Sequence, residues 1–209
     1  MEKQVDASAY TFERYTPPDR WASFYYQLRE IFAAHPASLL EVGPGMGIIR
    51  DVTRHAGVAY TSVDIAEDLH PDVVAPVTNL PFPDKAFDVV CAFEVLEHMP
   101  FSEFEPALAE LARIARRAVL ISLPHFGPSL RLEFKIPFLP RVRVAYKIPY
   151  PRRHTFNGQH YWEIGKRGYP VSKIRDSMRK QFLITKEFIP FENQYHHFFI
   201  LEHREGKLI

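Results

Sequence analysis

Leu39-Leu40-Glu41-Val42-Gly43-Pro44-Gly45-Met46-Gly47 is an apolar run that closes on an acid and three alternating glycines, and its reading decides the fold. An apolar run of this length before a glycine-rich turn reads as a buried strand that ends where a helix begins. Glycine has no Cβ, so the turn can adopt φ > 0 and bring its backbone close to a ligand, while the next helix aims its free N–H groups at the same point. A second apolar run, Ala59-Tyr60-Thr61-Ser62-Val63, ends on Asp64, whose two acceptor oxygens suit a ribose diol. Together these features describe a grip on an adenosine.

Spacing narrows the nucleotide. A dinucleotide fingerprint would carry its third glycine where Ile48 stands, and Pro44 removes one donor from the turn. A pyrophosphate is poorly served by such a turn. A ligand with an amino-acid end is served better, since its ammonium can meet Glu41 or nearby carbonyls and its carboxylate can meet backbone N–H groups.

Three further segments follow in order: Asn79-Leu80-Pro81-Phe82-Pro83-Asp84, then Phe87-Asp88-Val89-Val90, then Glu94-Val95-Leu96-Glu97-His98. With the glycine turn they resemble the class I S-adenosylmethionine-dependent methyltransferases, nearest to the type 11 group, over about Ser38 to His125. The resemblance implies an α/β fold: a doubly wound, Rossmann-like seven-stranded sheet, mostly parallel, with an antiparallel C-terminal hairpin and helices on both faces. It implies S-adenosyl-L-methionine as cofactor and S-adenosylhomocysteine as product. Carried onto this chain, Glu41, Gly43, Gly45 and Gly47 form the methionine-side loop, and Asp64 with Ile65 clamps the ribose. Val77 and Thr78 meet the adenine edge, and Phe93 and Glu94 border the cofactor at a strand end. One departure stands out: the family's usual aspartate for the adenine amino group is Pro76 here, which offers no side-chain acceptor.

The 209 residues, 46% hydrophobic and with a formal net charge of +1, fit one soluble domain. Met1 to Asp6 carries no apolar signal core, and no segment approaches the ~18 uninterrupted apolar residues of a membrane span, so a cytoplasmic protein is expected. The single cysteine, Cys91, sits in an apolar run and reads as a buried small hydrophobe. Charge is uneven: residues 125–155 hold seven Arg or Lys against Glu133 alone, a net +6. Pro128, Pro137, Pro140, Pro149 and Pro151 fall in the same stretch, which therefore reads as an irregular basic insertion.

Four segments organise the single domain 1–209: an N-terminal helical arm (1–36), a cofactor-binding core (37–124), a basic substrate-lid insertion rich in proline and aromatics (125–168), and a C-terminal helix and hairpin (169–209). In the arm, Trp21, Phe24, Tyr25, Leu28, Ile31 and Phe32 recur at helical spacing over about 18–34 and predict an aromatic face on the core. The leading part of the arm is also placed to cover the cofactor cleft. Strands at 38–41, 59–63, 73–74, 88–92 and 118–123 alternate with helices at 48–55 and 103–116. A helix over 171–180 leads into two apolar runs, 182–190 and 195–203, which predict the closing antiparallel hairpin.

Methyl transfer from a sulfonium is an in-line displacement, so alignment and exclusion of water matter most and a base is optional. His98, His125, His154 and His160 are candidate bases, with His125 and His98 foremost at strand ends. On a helix beginning at Glu94, the residues Glu94, Glu97 and His98 share a face, and such sets hold magnesium in some quinone-biosynthesis O-methyltransferases that resemble this motif; the expectation here is no metal. His154, His160, Tyr161 and Trp162 border the acceptor, with core packing an equal reading for the last two. The basic insertion suits a small anionic acceptor, a lipid-linked acceptor or a peripheral membrane contact, and equally a solvated loop. Nucleic acid is disfavoured, since its family-specific tetrapeptide and Pro-Cys signatures are missing. Two rival readings remain: a non-catalytic binding module on the same fold, encouraged by Pro76, and a nucleotide-dependent oxidoreductase, opposed by Ile48.

Overall fold

The computed structural model describes residues 10–204. Five parallel strands form in sequence: β1 (Ser38–Val42), β2 (Ala59–Asp64), β3 (Val73–Val74), β4 (Phe87–Phe93) and β5 (Ala115–Pro124). After a separate hairpin, β6 (Ser129–Phe134) and β7 (Val142–Lys147), the chain returns as β8 (Phe182–Phe188) and β9 (His196–His203). The main sheet runs β3-β2-β1-β4-β5-β9-β8, with β9 antiparallel to both β5 and β8. This is the doubly wound, seven-stranded sheet expected, with its antiparallel C-terminal hairpin.

Strand periodicity sorts the core into two layers. Leu40, Val90, Val119 and Ile121 face α4 (Phe104–Ile114) and α5 (Val171–Arg179). Leu39, Val89, Cys91 and Leu120 face the opposite way, with Ile31 of α2 (Pro18–Ala33) and Ile49 of α3 (Ile48–His55). A short α1 (Phe12–Tyr15) precedes α2. Cys91 is fully buried, as its apolar run implies. No helix of the described residues is long and apolar enough to cross a membrane.

Four expectations are corrected. The helix foreseen to Arg116 stops at Ile114, because Ala115 already pairs with Phe87 and the Arg116 guanidinium turns to the Asp88 carboxylate. The residues after Glu94 make only a 3-10 turn, Leu96–His98, because Glu94 itself adopts φ +55°. The stripe foreseen on α2 holds only in part: Ile31 is buried and Phe24 and Leu28 pack on the core, but Trp21 and Tyr25 are exposed, and Ser23, Gln27 and Glu30 take buried positions. Its polar members find partners, Asn193 Nδ2 donating to Ser23 Oγ at 3.0 Å and Lys186 Nζ to Glu30 at 2.8 Å. Finally, the insertion contains a regular hairpin in which Ser129–Phe134 pairs with Val142–Lys147, and all five prolines lie outside its strands, where they remove no ladder donor.

Candidate functional site

The strand order reverses between β1 and β4, and the carboxyl ends of β1, β2 and β4 open there, where ligands bind in open α/β sheets. The Gly43 N–H donates to the Val63 carbonyl at 2.9 Å, and the Gly47 N–H closes the turn on Pro44 at 2.8 Å before α3 starts. Gly43 has φ +74°, and a Cβ there would lie 2.5 Å from a Val95 methyl, so a side chain is excluded on both counts. Glu41 lies buried beside the turn and accepts the Tyr60 hydroxyl. Burial pushes its carboxyl up to about 8. Asp64 Oδ1 accepts the Ala66 N–H at 2.8 Å, and burial raises this carboxyl too. Ile65 follows it half-buried; Val77 is buried in the core and offers the cleft only backbone, beside half-buried Thr78.

Glu94 continues the rim beyond Phe93. Its Oε2 stands 3.5 Å from His196 Nε2, its Oε1 has no hydrogen-bond partner, and burial raises its pKa. Tyr15, Arg20, Phe24 and Gln27 face Glu41, Gly43, Met46 and Glu94 across a residual cavity of about 20 Å³, room for one water. Tyr10 and Tyr15 pack ring to ring at 4.6 Å against Gly45, and Arg20 lies over the Tyr15 ring at 4.4 Å. The arm therefore covers the glycine turn. The residues present fit a ligand with a cationic amino-acid end, since two buried acids, one with an unpartnered oxygen, flank a backbone turn. A ligand group seated beside Glu41 requires the arm to move outward.

Beyond Glu94 lies a second polar cluster. Glu97 is fully buried and neither of its oxygens is hydrogen-bonded. Its Oε1 stands 3.9 Å from both His98 Nε2 and His160 Nε2. His98 Nδ1–H donates to the Gln159 carbonyl and His160 Nδ1–H to the Glu163 carboxylate, each at 3.1 Å, which turns Nε2 of both rings toward Glu97. Burial raises Glu97 and lowers His98 to about 4. Glu97, His98 and His160 thus bring three ligand atoms within 4.8 Å of one another, a two-histidine, one-carboxylate set able to hold a divalent cation. The set differs from the helical trio foreseen: Glu94 turns to His196, and His160 arrives from the insertion.

The remaining substrate candidates separate. His154 Nε2–H donates to the His160 carbonyl at 2.9 Å and fixes the loop. Tyr161 packs its partly exposed ring on Phe156. Trp162 is fully buried, its indole N–H donating to the Met99 carbonyl at 3.1 Å between Phe101 and Phe104, so it walls the core and not a pocket. His125 stacks on His197, and because His197 Nε2–H donates to Glu187 at 2.8 Å, His125 Nδ1–H donates to His197 Nδ1 at 3.1 Å. Burial lowers His125 to about 3. Nearby, a cleft of about 600 Å³ opens between the β6–β7 hairpin and residues 191–195, with Arg131, Lys147 and Tyr195 on its walls.

Sequence reasoning missed Tyr15, Arg20, Glu163, Tyr195 and His196. Only the last two carried a signal, as polar residues in Asn193-Gln194-Tyr195-His196-His197 at the mouth of an apolar strand; the others reach the site through tertiary contacts that no spacing encodes.

The family profile described as a methyltransferase domain matches residues 40–122. No curated protein matches the sequence. Among solved structures, the PH0226 protein of Pyrococcus horikoshii OT3 is similar with a TM-score of 0.63 at 14% identity, covering 96% of this chain and 100% of that one. The 1,6-didemethyltoxoflavin-N1-methyltransferase of Burkholderia thailandensis, crystallised with 1,6-didemethyltoxoflavin and S-adenosylhomocysteine, gives 0.59 at 16% identity, covering 86% of this chain and 77% of that one. The [4+2]-cyclase SpnF gives 0.51 at 16% identity, covering 81% and 75%. At these identities the structures establish the fold, and the domain match implies S-adenosylmethionine as its cofactor. Residues 40–122 match the methyltransferase domain profile, and the sheet built around them has the fold of S-adenosylmethionine-dependent methyltransferases.

Proposed function

We propose that the protein transfers a methyl group from S-adenosylmethionine to a small-molecule or lipid-linked, anionic acceptor in the cytoplasm. The observation that carries this reading is the pair of acids, Glu41 buried and Glu94 with its side chain 8% exposed, flanking a glycine turn in which Gly43 accepts no side chain. When bound, S-adenosylmethionine supplies an electrophilic methyl on a sulfonium. Glu41 and the turn 43–47 would hold its amino-acid end, Asp64 with Ile65 its ribose, backbone at Val77 and Thr78 its adenine edge, and Phe93 and Glu94 the side facing the acceptor. Arg131 and Lys147 hydrogen-bond only backbone carbonyls among the described residues and supply the cations for an anionic acceptor in the adjoining cleft. His98, neutral beside Glu97, takes the acceptor's proton at Nε2. His125 serves as the alternative base, its ring oriented through His197 by Glu187.

Calorimetric titration with S-adenosylhomocysteine tests the reading, with NADH as the contrasting nucleotide. Binding of the former only, weakened about tenfold or more by Asp64→Ala through loss of hydrogen bonds to a charged group, is the expected result. Binding of NADH alone establishes the oxidoreductase reading, and tight S-adenosylhomocysteine binding with no methyl release to any acceptor establishes the non-catalytic one.

The unpartnered oxygens of Glu97 favour a second reading of its cluster. A cation at about 2.0–2.2 Å from Glu97, His98 and His160 would draw Glu97 Oε1 and each imidazole Nε2 together by under about 1 Å, and the Gln159 carbonyl and Glu163 would orient the two rings from behind. On this reading Zn²⁺ or Mn²⁺ raises the Tm of the protein and not of Glu97→Gln; equal melting of both with and without metal leaves the cluster to proton transfer alone.

A further inference from the structure

The β6–β7 hairpin is amphipathic across its width. In register, Leu130 faces Tyr146, Leu132 faces Val144 and Phe134 faces Val142, so six apolar side chains share one face, each between 43% and 61% exposed. The alternate positions carry Arg131, Glu133, Arg143 and Lys147 on the other face. That polar face is tied to the body of the protein: Arg131 Nη1 donates to the Glu192 carbonyl at 3.0 Å, Lys147 Nζ to the Gln194 carbonyl at 2.7 Å, and Arg143 pairs with the Glu192 carboxylate at 2.5 Å. The hairpin is thereby fixed with its apolar face outward. No described residue covers it.

The turn extends the same surface. Ile136 and Leu139 are more than half exposed, and Phe138, at φ +65°, projects fully into solvent. Lys135 and Arg141 bracket this tip, and Tyr150 stands beyond the hairpin's base with Arg152 and Arg153. Soluble proteins rarely expose a contiguous apolar surface of this kind unless it meets a partner. A partner of another protein's ordinary surface would not account for the charge, since 125–155 carries net +6 in a chain of net +1. Apolar residues at a tip, basic residues bracketing them and tyrosines at the base are what an anionic bilayer surface selects, with lysine and arginine stems reaching past apolar contacts to headgroups.

We propose that the β6–β7 hairpin is a membrane-docking element that lays its apolar face and the tip 136–139 into the headgroup and acyl boundary of an anionic bilayer. The depth is limited to that boundary, because both hairpin edges carry unpaired backbone groups that need water or headgroup partners. The cleft between the hairpin's polar face and residues 191–195 would then open toward the membrane surface, placing Arg131 and Lys147 to meet an acceptor drawn from it. The docking itself stands on the hairpin alone and holds whether or not the chain transfers methyl groups.

Flotation of the full chain with phosphatidylcholine vesicles, plain or with about a quarter phosphatidylglycerol, tests it. Wild type should float with the anionic vesicles at least tenfold more strongly than with the neutral ones. The double variant Phe138→Ser, Leu139→Ser should lose about tenfold of that binding, with Tm and S-adenosylhomocysteine affinity unchanged because both side chains are exposed. In a second arm, Phe138→Trp should show an added fluorescence component that shifts to the blue on mixing with anionic vesicles. Failure to float, flotation unchanged in the double variant, an unshifted tryptophan, or a concentration-dependent dimer that the double variant dissolves would each overturn the proposal. The parallel S-adenosylhomocysteine titration keeps such a failure distinct from failure of the cofactor site.

Discussion

Glu41 shows how one residue can be read correctly by position and still behave unlike its sequence. A carboxyl at the end of β1 is placed to meet an ammonium, yet burial keeps it protonated up to about pH 8 in the protein alone. A cation docking beside it must therefore displace a proton. At pH 7, S-adenosylhomocysteine binding should release close to one proton, seen as a binding enthalpy that varies with the ionisation enthalpy of the buffer. Affinity should rise by up to about tenfold per pH unit between pH 6 and 8 as the carboxyl becomes easier to ionise. Glu41→Gln should abolish the release and flatten the pH dependence while weakening binding. A wild-type enthalpy indifferent to buffer would show that the ammonium goes elsewhere.

At the scale of elements, the arm and the hairpin contribute what the central sheet does not. Residues 10–16 rest on the glycine turn through Tyr10 and Tyr15, leaving space for one water beside Glu41, where the amino-acid end of the cofactor belongs. Moving the arm opposes binding, so Tyr10→Ala with Tyr15→Ala should tighten S-adenosylhomocysteine binding several-fold and speed association; weaker binding would mean the tyrosines close over the ligand and not against it. The elements that were legible in sequence are those set by local rules: β1 with its glycines, β2 ending on Asp64, and the β8–β9 pair bounding a turn. The hairpin in 125–168 was not legible, because five prolines suggest irregular chain until their positions outside the ladder are known. Nor was the 3-10 turn at 96–98, since helical spacing cannot reveal that Glu94 turns left-handed. Trp162 and Arg20 mark the same boundary: spacing places a residue on an element, but the partner that settles its role comes from another part of the fold.

Across the whole molecule, buried titratable groups of opposite sign set how stability varies with pH. Burial raises Glu41, Glu94 and Glu97 above the usual 4.5, so each stabilises the fold fully below pH 4.5 and loses that contribution as pH rises through its folded value. Burial lowers His98, His125 and His196 below the usual 6.5, so each costs stability as pH falls from 6.5 toward 4 or 3. Between 4.5 and 6.5 the two sets oppose each other; above 6.5 the three acids outweigh Lys147, the one buried base lowered to about 8, whose cost eases as pH rises. Tm should therefore be nearly level from pH 4.5 to 6.5 and decline toward pH 8, and Glu94→Gln should make that decline shallower. Thermal melts across this range decide it, and a Tm that climbs from pH 6.5 to 8 would contradict the burial of the three acids. S-adenosylmethionine should shrink the decline, since its ammonium and sulfonium favour the ionised forms of Glu41 and Glu94, so that its stabilisation is larger at pH 8 than at pH 6.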